Sequence, residues 1–577
     1  MDAILKRCCS GIAVVAGSLL LGIPNAGAQP QPAPQYQDRF LVEDTEGQVG
    51  QPTQMAWGPD GRLYVMTNSN GVWSFRYSRI TGKLTEPRQA VAGIGGIGIG
   101  FHRRNMYLSV WGEENTSAIA KLSDEDGDGV FGEPGETFVR IVTGIPIEAH
   151  AANQIVIKGD TLFIGIGTRT YNGRRGDRTM GTLSDEPGDR GFFQGGRGFS
   201  WGDSALNGTI CWIKDLNTVA DVEGSANTYQ DTRRTAFFIQ ADDSPIRHWI
   251  NPPAQEITDK LLVHSAGTRN PYGLCLDRFG NLYFTNNFNR TNTLGNGIAG
   301  PGVITNTETI GPDFENDVHD QCFMAVEGAD YGYWNDNWRP ANPLLNPQQP
   351  DYQRVFSLTF DNLFNRGPYA LHDPANPDGL GPHSSATGCS FFYVWNLPRE
   401  LQDNLFVTRW VNSIREDGAN PNTLRYADVV AVNPYNGQVR RVAENFRNPI
   451  ALLSDGTQRL LVADFGAGRI YALRPAVRRV DLRARLFRVE GGFEAEVYAT
   501  NSGDVPANNL RLAYAQLNGV GTTASLPLNM GDVAPGETAT RRIFFPLNLG
   551  SRRPARLSLY APYSGGVSTT YLRLLTP

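Results

Sequence analysis

The 577-residue chain combines 40% hydrophobic with 19% charged residues, a globular composition that excludes a disordered or fibrous chain. Its net charge of −6 argues against nucleic acid or an anionic membrane as the main partner. The 64 glycines and 36 prolines indicate many turns, and therefore β structure with short strands.

The first 28 residues have the pattern of a cleaved secretory signal. Lys6 and Arg7 form a charged start, an apolar run covers 12–23, and small residues precede Gln29. The run is shorter than the ~20 residues that a transmembrane helix needs, which favours a cleaved signal. The alternative is a membrane anchor that is left uncut. We therefore predict a secreted or periplasmic protein without stable membrane insertion.

A loose unit recurs six times along the chain. Each copy has an apolar strand, a turn that often contains Asp-Gly or Gly-Asn, and a second strand of alternating polarity. The copies begin near Pro52, Gly93, His150, Asn270, Ala386 and Asn448. Antiparallel units of this kind protect their edges when they stack around a channel, so we predict an all-β, six-bladed propeller over 29–474.

Long Gly/Asn/Asp/Pro-rich segments interrupt the units at about 171–205, 218–258, 289–318 and 335–382. On a propeller such insertions are face loops, where binding groups usually lie. Four cysteines follow the signal, and in an oxidising compartment they predict one or two disulfides of undetermined pairing. They are Cys211, Cys275, Cys322 and Cys389.

An acidic loop in the second unit has the front half of an EF-hand pattern. Asp124, Asp126 and Asp128 occupy alternate positions before a glycine, as oxygen ligands of Ca²⁺ do in such loops. Val130 takes the backbone-carbonyl position, and Glu133 or Glu136 would supply the late carboxylate. We predict a calcium site that stabilises a loop; a solvated turn without metal is the alternative.

Residues 478–577 change to alternating stretches separated by Gly/Asn/Pro turns, with no histidine or cysteine. About seven short strands in roughly 100 residues predict an immunoglobulin-like β-sandwich. Because it contains no obvious catalytic cluster, we interpret it as a stability, docking or adhesion module.

Five motifs keep their order along the units: EAHAANQIVIKGDTLFIGIG, GTRNPYGLCLDRFGNLYF, EGADYGYW, HSSATG and ENFRNPIALLSDGTQRLLVADF. Over roughly 50–473 they resemble the glucose/sorbosone dehydrogenase family of soluble quinoproteins. The resemblance implies an oxidoreductase that oxidises a sugar or other alcohol/aldehyde, with pyrroloquinoline quinone (PQQ) and Ca²⁺ as cofactors. The implied partner is a small, carbohydrate-sized substrate, and the electron acceptor stays open.

The resemblance also implies residue roles. His150 matches the catalytic base, a task that suits an imidazole because its pKa lies near neutrality. Arg269 and Asn270 match residues that bind the quinone oxygens, Arg447 matches a cofactor-binding arginine, and Arg409 would lie near the cofactor carboxylates. Each of these residues also has a structural interpretation, as a turn histidine, a repeated sheet corner or a packing arginine.

The chain departs from the family pattern at Ala149, where an aspartate is common, and it has no lysine after Lys260. Two other functions therefore stay open. One is a calcium-dependent lactonase in which polar residues converge on a metal, with Asn153, Asn448 and Asp464 as candidates beside Asn270. The other is a non-catalytic carbohydrate- or protein-binding propeller. No GxSxG elbow or phosphate-binding glycine loop is present.

Overall fold

The computed structural model describes residues 29–112, 116–146, 150–168, 207–228, 260–287, 320–327, 380, 384–410 and 427–577. In these residues the chain is all-β, with three short 3-10 helices and no α-helix. None of them forms a helix long and apolar enough to cross a membrane. The predicted signal and most of the four insertions lie outside the described residues.

The chain divides into two compact units, one made of Val42–Leu473 with the chain start up to Ala33, the other of Pro34–Leu41 with Arg474–Pro577. The strands that lie mainly in the first unit are β1 Gln31–Pro32, β2 Phe40–Gln48, β3 Pro52–Trp57, β4 Leu63–Thr67, β5 Val72–Tyr77, β6 Leu84–Val91, β7 Gly96–His102, β8 Asn105–Trp111, β9 Thr116–Leu122, β10 Phe138–Pro146, β11 Ala152–Lys158, β12 Thr161–Ile166, β13 Thr209–Ile213, β14 Asn227–Thr228, β15 Leu261–Ala266, β16 Asn270–Leu276, β17 Leu282–Asn287, β18 Gln321–Met324, β19 Ala386–Phe391, β20 Leu405–Arg409, β21 Asp428–Val432, β22 Val439–Glu444, β23 Pro449–Ser454, β24 Leu460–Asp464 and β25 Arg469–Pro475.

The described residues of the first unit form six sheets whose first strands are β3, β7, β11, β16, β19 and β23, antiparallel except for the short parallel pair β10 and β14. Each predicted sequence unit begins within three residues of one of these strands. Each first strand packs against the first strand of the next sheet, and β23 packs against β3, so the six sheets form a closed ring. The chain start adds outer strands to the last two sheets, β1 beside β22 and β2 beside β25.

Neighbouring sheets approach closely because small residues stand where their first strands meet. A Cβ on Gly273 would overlap the Thr387 carbonyl of the next sheet, and one on Gly388 would overlap Ala451. Threonine hydroxyls cross the same gaps: Oγ1 of Thr285 donates to the Thr387 carbonyl at 2.5 Å. The ring is therefore bonded from sheet to sheet through buried polar contacts as well as apolar packing.

Two buried glutamines fill part of the space between the first strands. Nε2 of Gln154 donates to the carbonyl of Thr53 at 3.1 Å and to that of Ile450 at 3.4 Å, which links three sheets. Nε2 of Gln54 donates to the Ile155 carbonyl at 2.7 Å. These hydrogen bonds give the buried side-chain N–H groups of both glutamines partners inside the ring.

The four cysteines are buried free thiols, so the structure contains none of the one or two disulfides expected from the sequence. Cys275, Cys322 and Cys389 belong to one apolar cluster, where a thiol packs as a small hydrophobic side chain. Burial raises the pKa of the Cys275 thiol, and a hydrogen bond with Cys389 raises it further.

The second unit is a separate β domain with its own apolar core. Its strands are β26 Val480–Val489, β27 Gly492–Asn501, β28 Ala507–Leu512, β29 Tyr514–Leu517, β30 Val520–Gly521, β31 Leu528–Val533, β32 Thr538–Phe545, β33 Pro554–Tyr563 and β34 Gly566–Leu575. They form sheets in the orders β26-β27-β32, β28-β31 and β30-β29-β33-β34. In the long strands β27 and β33 every second residue is buried, as the alternating sequence predicts.

Candidate functional site

His150 precedes β11 on the face of the ring where the first strands begin. Its Nδ1 lies 2.9 Å from the Thr168 carbonyl oxygen and 3.2 Å from Thr168 Oγ1. A carbonyl oxygen only accepts, so the neutral ring carries its proton on Nδ1 and donates it to Thr168. Nε2 is then the ring nitrogen with a lone pair, which is the form that a general base requires.

The surroundings of His150 keep the ring neutral. Burial lowers the pKa of His150 well below its usual value, and the positive charge of Arg269 lowers it further. The Thr168 carbonyl opposes these effects because it accepts a hydrogen bond from the ring. The imidazole is therefore unprotonated at neutral pH and able to accept a proton at Nε2.

A chain of asparagine amides joins the third sheet to the fourth beside His150. Nδ2 of Asn153 donates to Oδ1 of Asn270 at 2.8 Å, and Nδ2 of Asn270 donates to Oδ1 of Asn287 at 2.9 Å. Asn287 continues to the fifth sheet by donating to the Ala386 carbonyl at 2.7 Å. Both ends of the Asn270 amide are thus engaged by protein, and it acts here as a link between sheets.

Arg269 lies at the entrance of the fourth sheet with 7% of its surface exposed. Its backbone N–H donates to Oδ1 of Asn286 at 3.1 Å, and its Nη1 donates to the Asn287 carbonyl at 3.3 Å. Its carbonyl accepts from the N–H of Thr168 at 2.8 Å, which connects the arginine to the residue that orients His150. Arg269 therefore brings a positive charge to the histidine.

The second Arg-Asn-Pro sequence builds an equivalent corner in the sixth sheet. The N–H groups of Arg447 and Asn448 donate to the two carboxylate oxygens of Asp464 at 2.8 and 2.9 Å, as Arg269 and Asn270 donate to Asn286. The motif is therefore a repeated sheet entrance, as the structural interpretation expected. The side chain of Arg447 itself is exposed.

Arg409 lies in a buried ion pair. Its Nε and Nη2 donate to the two oxygens of Asp428 at 2.8 and 2.6 Å, and its Nη1 donates to the Leu380 carbonyl at 3.0 Å. Arg441 contacts the same carboxylate, which has no exposed surface. This geometry gives Arg409 a structural role and does not support the predicted contact with cofactor carboxylates.

The four residues named for a lactonase metal separate into two corners. Asn153 and Asn270 hydrogen-bond to each other, whereas Asp464 uses both oxygens to accept backbone N–H groups, including that of Asn448. Burial raises the pKa of Asp464, and those N–H groups lower it. No contact among the described residues brings the four together around one point.

Among the described residues, a single group of three or more metal-binding side chains has ligand atoms within 4.8 Å of one another: Asp124, Asp126 and Asp128. Positive φ angles at Gly127 and Gly129 give the loop its tight course. Burial raises the pKa of Asp124, and the charges of Glu136 and Asp128 raise it further. A bound cation relieves the electrostatic repulsion between carboxylates that are clustered in this way.

Of the two glutamates that follow the three aspartates, Glu136 is the one whose carboxylate lies at this loop. Its oxygens accept the N–H groups of Glu125 at 2.6 Å and of Glu133 at 3.2 Å, so it folds back over the loop and lies near Asp124. The side chain of Glu133 is exposed. The geometry therefore favours Glu136 over Glu133 as the fourth acidic ligand.

Sequence reasoning missed two residues that hold His150. Thr168 orients the ring through its carbonyl, and Gly167 leaves the space in which the ring lies. A Cβ on Gly167 would overlap His150 and lie 2.8 Å from Asn270 Oδ1. The only signal in the sequence was the small pair Gly167-Thr168 after β12, a feature shared by many strand ends. The departure at Ala149 lies outside the described residues.

No protein-family model matches the chain, and no curated protein does. Similar solved structures include the holo PQQ domain of a pyranose dehydrogenase from Coprinopsis cinerea, with 13% identity, a TM-score of 0.44 and coverage of 78% of this chain and 98% of that one. A calcium structure of a Trichoderma reesei AA12 carbohydrate-active enzyme has 12% identity, a TM-score of 0.45 and coverage of 77% and 96%. The PQQ-bound aldose sugar dehydrogenase of Streptomyces coelicolor has 14% identity, a TM-score of 0.36 and coverage of 76% and 99%. Similarity at this level does not assign a function to this chain.

Proposed function

We propose that the chain is an exported, PQQ-dependent oxidoreductase that oxidises a sugar or another alcohol or aldehyde. The observation that carries this proposal is the state of His150. Its Nδ1 donates to the Thr168 carbonyl, and burial and the nearby charge of Arg269 lower its pKa, so the ring is neutral and Nε2 carries the lone pair that a general base uses. The motif order around His150 in the sequence supports the same reaction.

We also infer a six-bladed β-propeller over 29–474, an immunoglobulin-like β-sandwich over 478–577 and a cleaved signal over 1–28. The closed ring of six sheets in the described residues supports the propeller. The separate core of the second unit supports an independent sandwich domain.

The residues fit the quinone in part. PQQ is an anionic ortho-quinone, so it requires positive charge, which Arg269 beside His150 and the exposed Arg447 on the same face would supply. Asn270 and Arg409 do not join this set because other protein groups engage their side chains. Bound PQQ would supply a two-electron acceptor for the hydride of the substrate carbon.

His150 would perform the proton transfer of this reaction. The carbon that bears the substrate hydroxyl would give up its hydride to the acceptor, the O–H proton would pass to Nε2 of His150, and the alcohol would become a carbonyl. The Nδ1 hydrogen bond to Thr168 keeps the ring oriented and becomes stronger when the ring is protonated. Arg269 would stabilise negative charge that develops beside the ring.

We assign calcium to the loop of Asp124, Asp126 and Asp128, with the Val130 carbonyl and Glu136 completing the oxygen ligands. Its function would be to hold the loop between β9 and β10. Calcium here would stabilise the fold and take no part in proton transfer.

The test is dye-linked oxidation of a panel of sugars and aldehydes by the protein reconstituted with PQQ and Ca²⁺. His150→Ala should lower the rate by at least about 100-fold, the usual contribution of a general base, with little change in melting temperature. His102→Gln is the matched control, because that histidine bonds to Asp160 and should not affect the rate.

A His150→Ala protein that keeps the parental rate would overturn the role of His150. Ester hydrolysis that needs Ca²⁺ and no quinone would instead identify a lactonase.

A further inference from the structure

One sheet of the second unit presents an outward face that is rich in tyrosine. In the sheet β30-β29-β33-β34, Ala515, Leu557 and Leu559 point into the core, and the residues between them point outward. The outward residues include Tyr514, Tyr560 and Tyr571, which expose 43%, 40% and 63% of their surface. We call this surface the tyrosine face; its members are Tyr514, Gln516, Arg556, Ser558, Tyr560, Thr569, Tyr571 and Arg573.

Strand register places the three rings close together. Tyr514 on β29 is opposite Tyr560 on β33, and Tyr571 on β34 is opposite Ser558, two residues from Tyr560. Directly opposite side chains are about 5 Å apart and diagonal ones about 7–8 Å. The three rings therefore lie on one face of the sheet, across three strands, with the neutral polar groups of Gln516, Ser558 and Thr569 between them.

The same face carries unpaired positive charge. Arg556 and Arg573 are opposite each other on β33 and β34, and Cζ of Arg556 lies 4.7 Å from the centroid of the Tyr571 ring. In the described residues neither arginine forms an ion pair, whereas Arg474 and Arg542 of the same unit pair with carboxylates. No outward position of β29, β33 or β34 holds an acidic residue.

The charge of the whole second unit has the same sign. Residues 474–577 contain thirteen arginines, no lysine and seven acidic residues, a net charge of +6, although the complete chain carries −6. The remaining residues therefore carry −12. This unevenness directs an anionic partner to the second unit and away from the rest of the chain.

We propose that the tyrosine face binds an acidic polysaccharide, a chain of sugars that bear carboxylates. Exposed aromatic rings stack on the apolar faces of pyranose rings, while hydroxyl and amide groups bond to sugar hydroxyls. Arg556 and Arg573 would pair with the sugar carboxylates as guanidinium groups do. This interaction is independent of the oxidoreductase proposed for the first unit.

The composition of the face favours a sugar polymer over other anionic partners. A single-stranded nucleic acid requires a positive groove that follows a phosphate at every nucleotide, whereas this face carries only two arginines among neutral polar groups. An anionic membrane requires apolar residues that insert into lipid, and the large aliphatic residues here, Val567 and Leu575, lie at opposite ends of β34.

The test is binding of the full chain to polygalacturonate, followed by calorimetry and by retardation in a gel that contains the polymer. We expect saturable binding that weakens as sodium chloride is raised from 50 to 500 mM, because salt screens the arginine–carboxylate attraction. Equal binding to neutral dextran, or tighter binding to phosphatidylglycerol vesicles or to oligothymidine, would overturn the proposal.

Variants locate the site. Tyr560→Ala, Tyr571→Ala and Arg556→Gln should each weaken binding by about 5- to 10-fold. The matched controls lie on the sheet β26-β27-β32: Phe487→Ala removes an exposed ring, and Arg542→Gln removes the arginine above that ring. Controls that weaken binding as much as the tyrosine-face variants would contradict the assigned surface, as would tyrosine-face variants with unchanged affinity.

Discussion

Gly167→Ala is the substitution that tests the geometry around His150 most sharply. Gly167 lies between the imidazole and the amide of Asn270, and its backbone does not need a positive φ. A methyl group there would overlap His150 and lie 3.2 Å from its Cγ and 2.8 Å from Oδ1 of Asn270. Carbon atoms in contact need about 3.5–4.0 Å, so the histidine and the asparagine must move by roughly 1 Å.

Two magnitudes follow from that displacement. Overpacking of this kind costs about 1–3 kcal/mol of unfolding free energy. A misplacement of about 1 Å at a reacting group costs on the order of 100-fold in rate. We therefore expect a small loss of stability in urea unfolding and a loss of about 100-fold in kcat for dye-linked oxidation.

Gly47→Ala in β2 is the matched control, because Gly47 is also buried and its backbone does not need a positive φ. Its methyl group would overlap Cδ1 of Leu84 and lie 3.3 Å from Oγ1 of Thr45, so the clash is again with side chains, but neither His150 nor a proposed cofactor residue is touched. The two variants should lose comparable stability and differ in rate. The reasoning is refuted if Gly167→Ala oxidises substrate as fast as Gly47→Ala at equal stability.

Three further predictions concern the rest of the first unit. Burial lowers the pKa of His264 to about 4, so between pH 6.5 and 4 the unfolded chain binds a proton that the folded chain does not. The unfolding free energy therefore falls as pH falls, by up to about 1.4 kcal/mol per pH unit. Urea unfolding should show a smaller difference in unfolding free energy between pH 7 and pH 5 for His264→Gln than for the parent. Arg409→Met should cost about 3–5 kcal/mol because Asp428 has no exposed surface, and Arg409→Met/Asp428→Leu should recover most of it; equal stability of the single variant and the parent would contradict the buried pair. EDTA should lower the melting temperature of the parent and leave that of Asp126→Asn nearly unchanged, and a shift of equal size in both would remove calcium from this loop.

The strand pattern of the first unit could be predicted because local signals and long-range packing agree. Alternating polarity and Asp-Gly or Gly-Asn turns located the first strands β3, β7, β11, β16, β19 and β23 to within three residues. The strands β1 and β2 could not be assigned to the fifth and sixth sheets, because pairing over some 400 residues leaves no local signal. The buried state of the four cysteines likewise depends on which strands meet.

The site was predictable in residue types and less so in contacts. His150 was identified from its motif, but the tautomer that makes it a base depends on the Thr168 carbonyl, and backbone carbonyls have no identity in a sequence. The family resemblance implied that Asn270 binds the quinone oxygens and that Arg409 lies near the cofactor carboxylates. Their actual partners, Asp428 and a chain of asparagines, lie on neighbouring strands that only the folded register brings together. The positive charge of 474–577 was present in the sequence but hidden by the acidic total.

The central claim is tested most directly by equilibrium titration of the calcium-loaded protein with PQQ, following quinone absorbance and melting temperature together. The account predicts saturable binding at micromolar PQQ, a rise in melting temperature and weaker binding by an Arg269→Gln variant, because that arginine supplies positive charge beside His150. No absorbance change and no thermal shift at 100-fold higher quinone concentration would contradict a quinone-dependent reaction at this site.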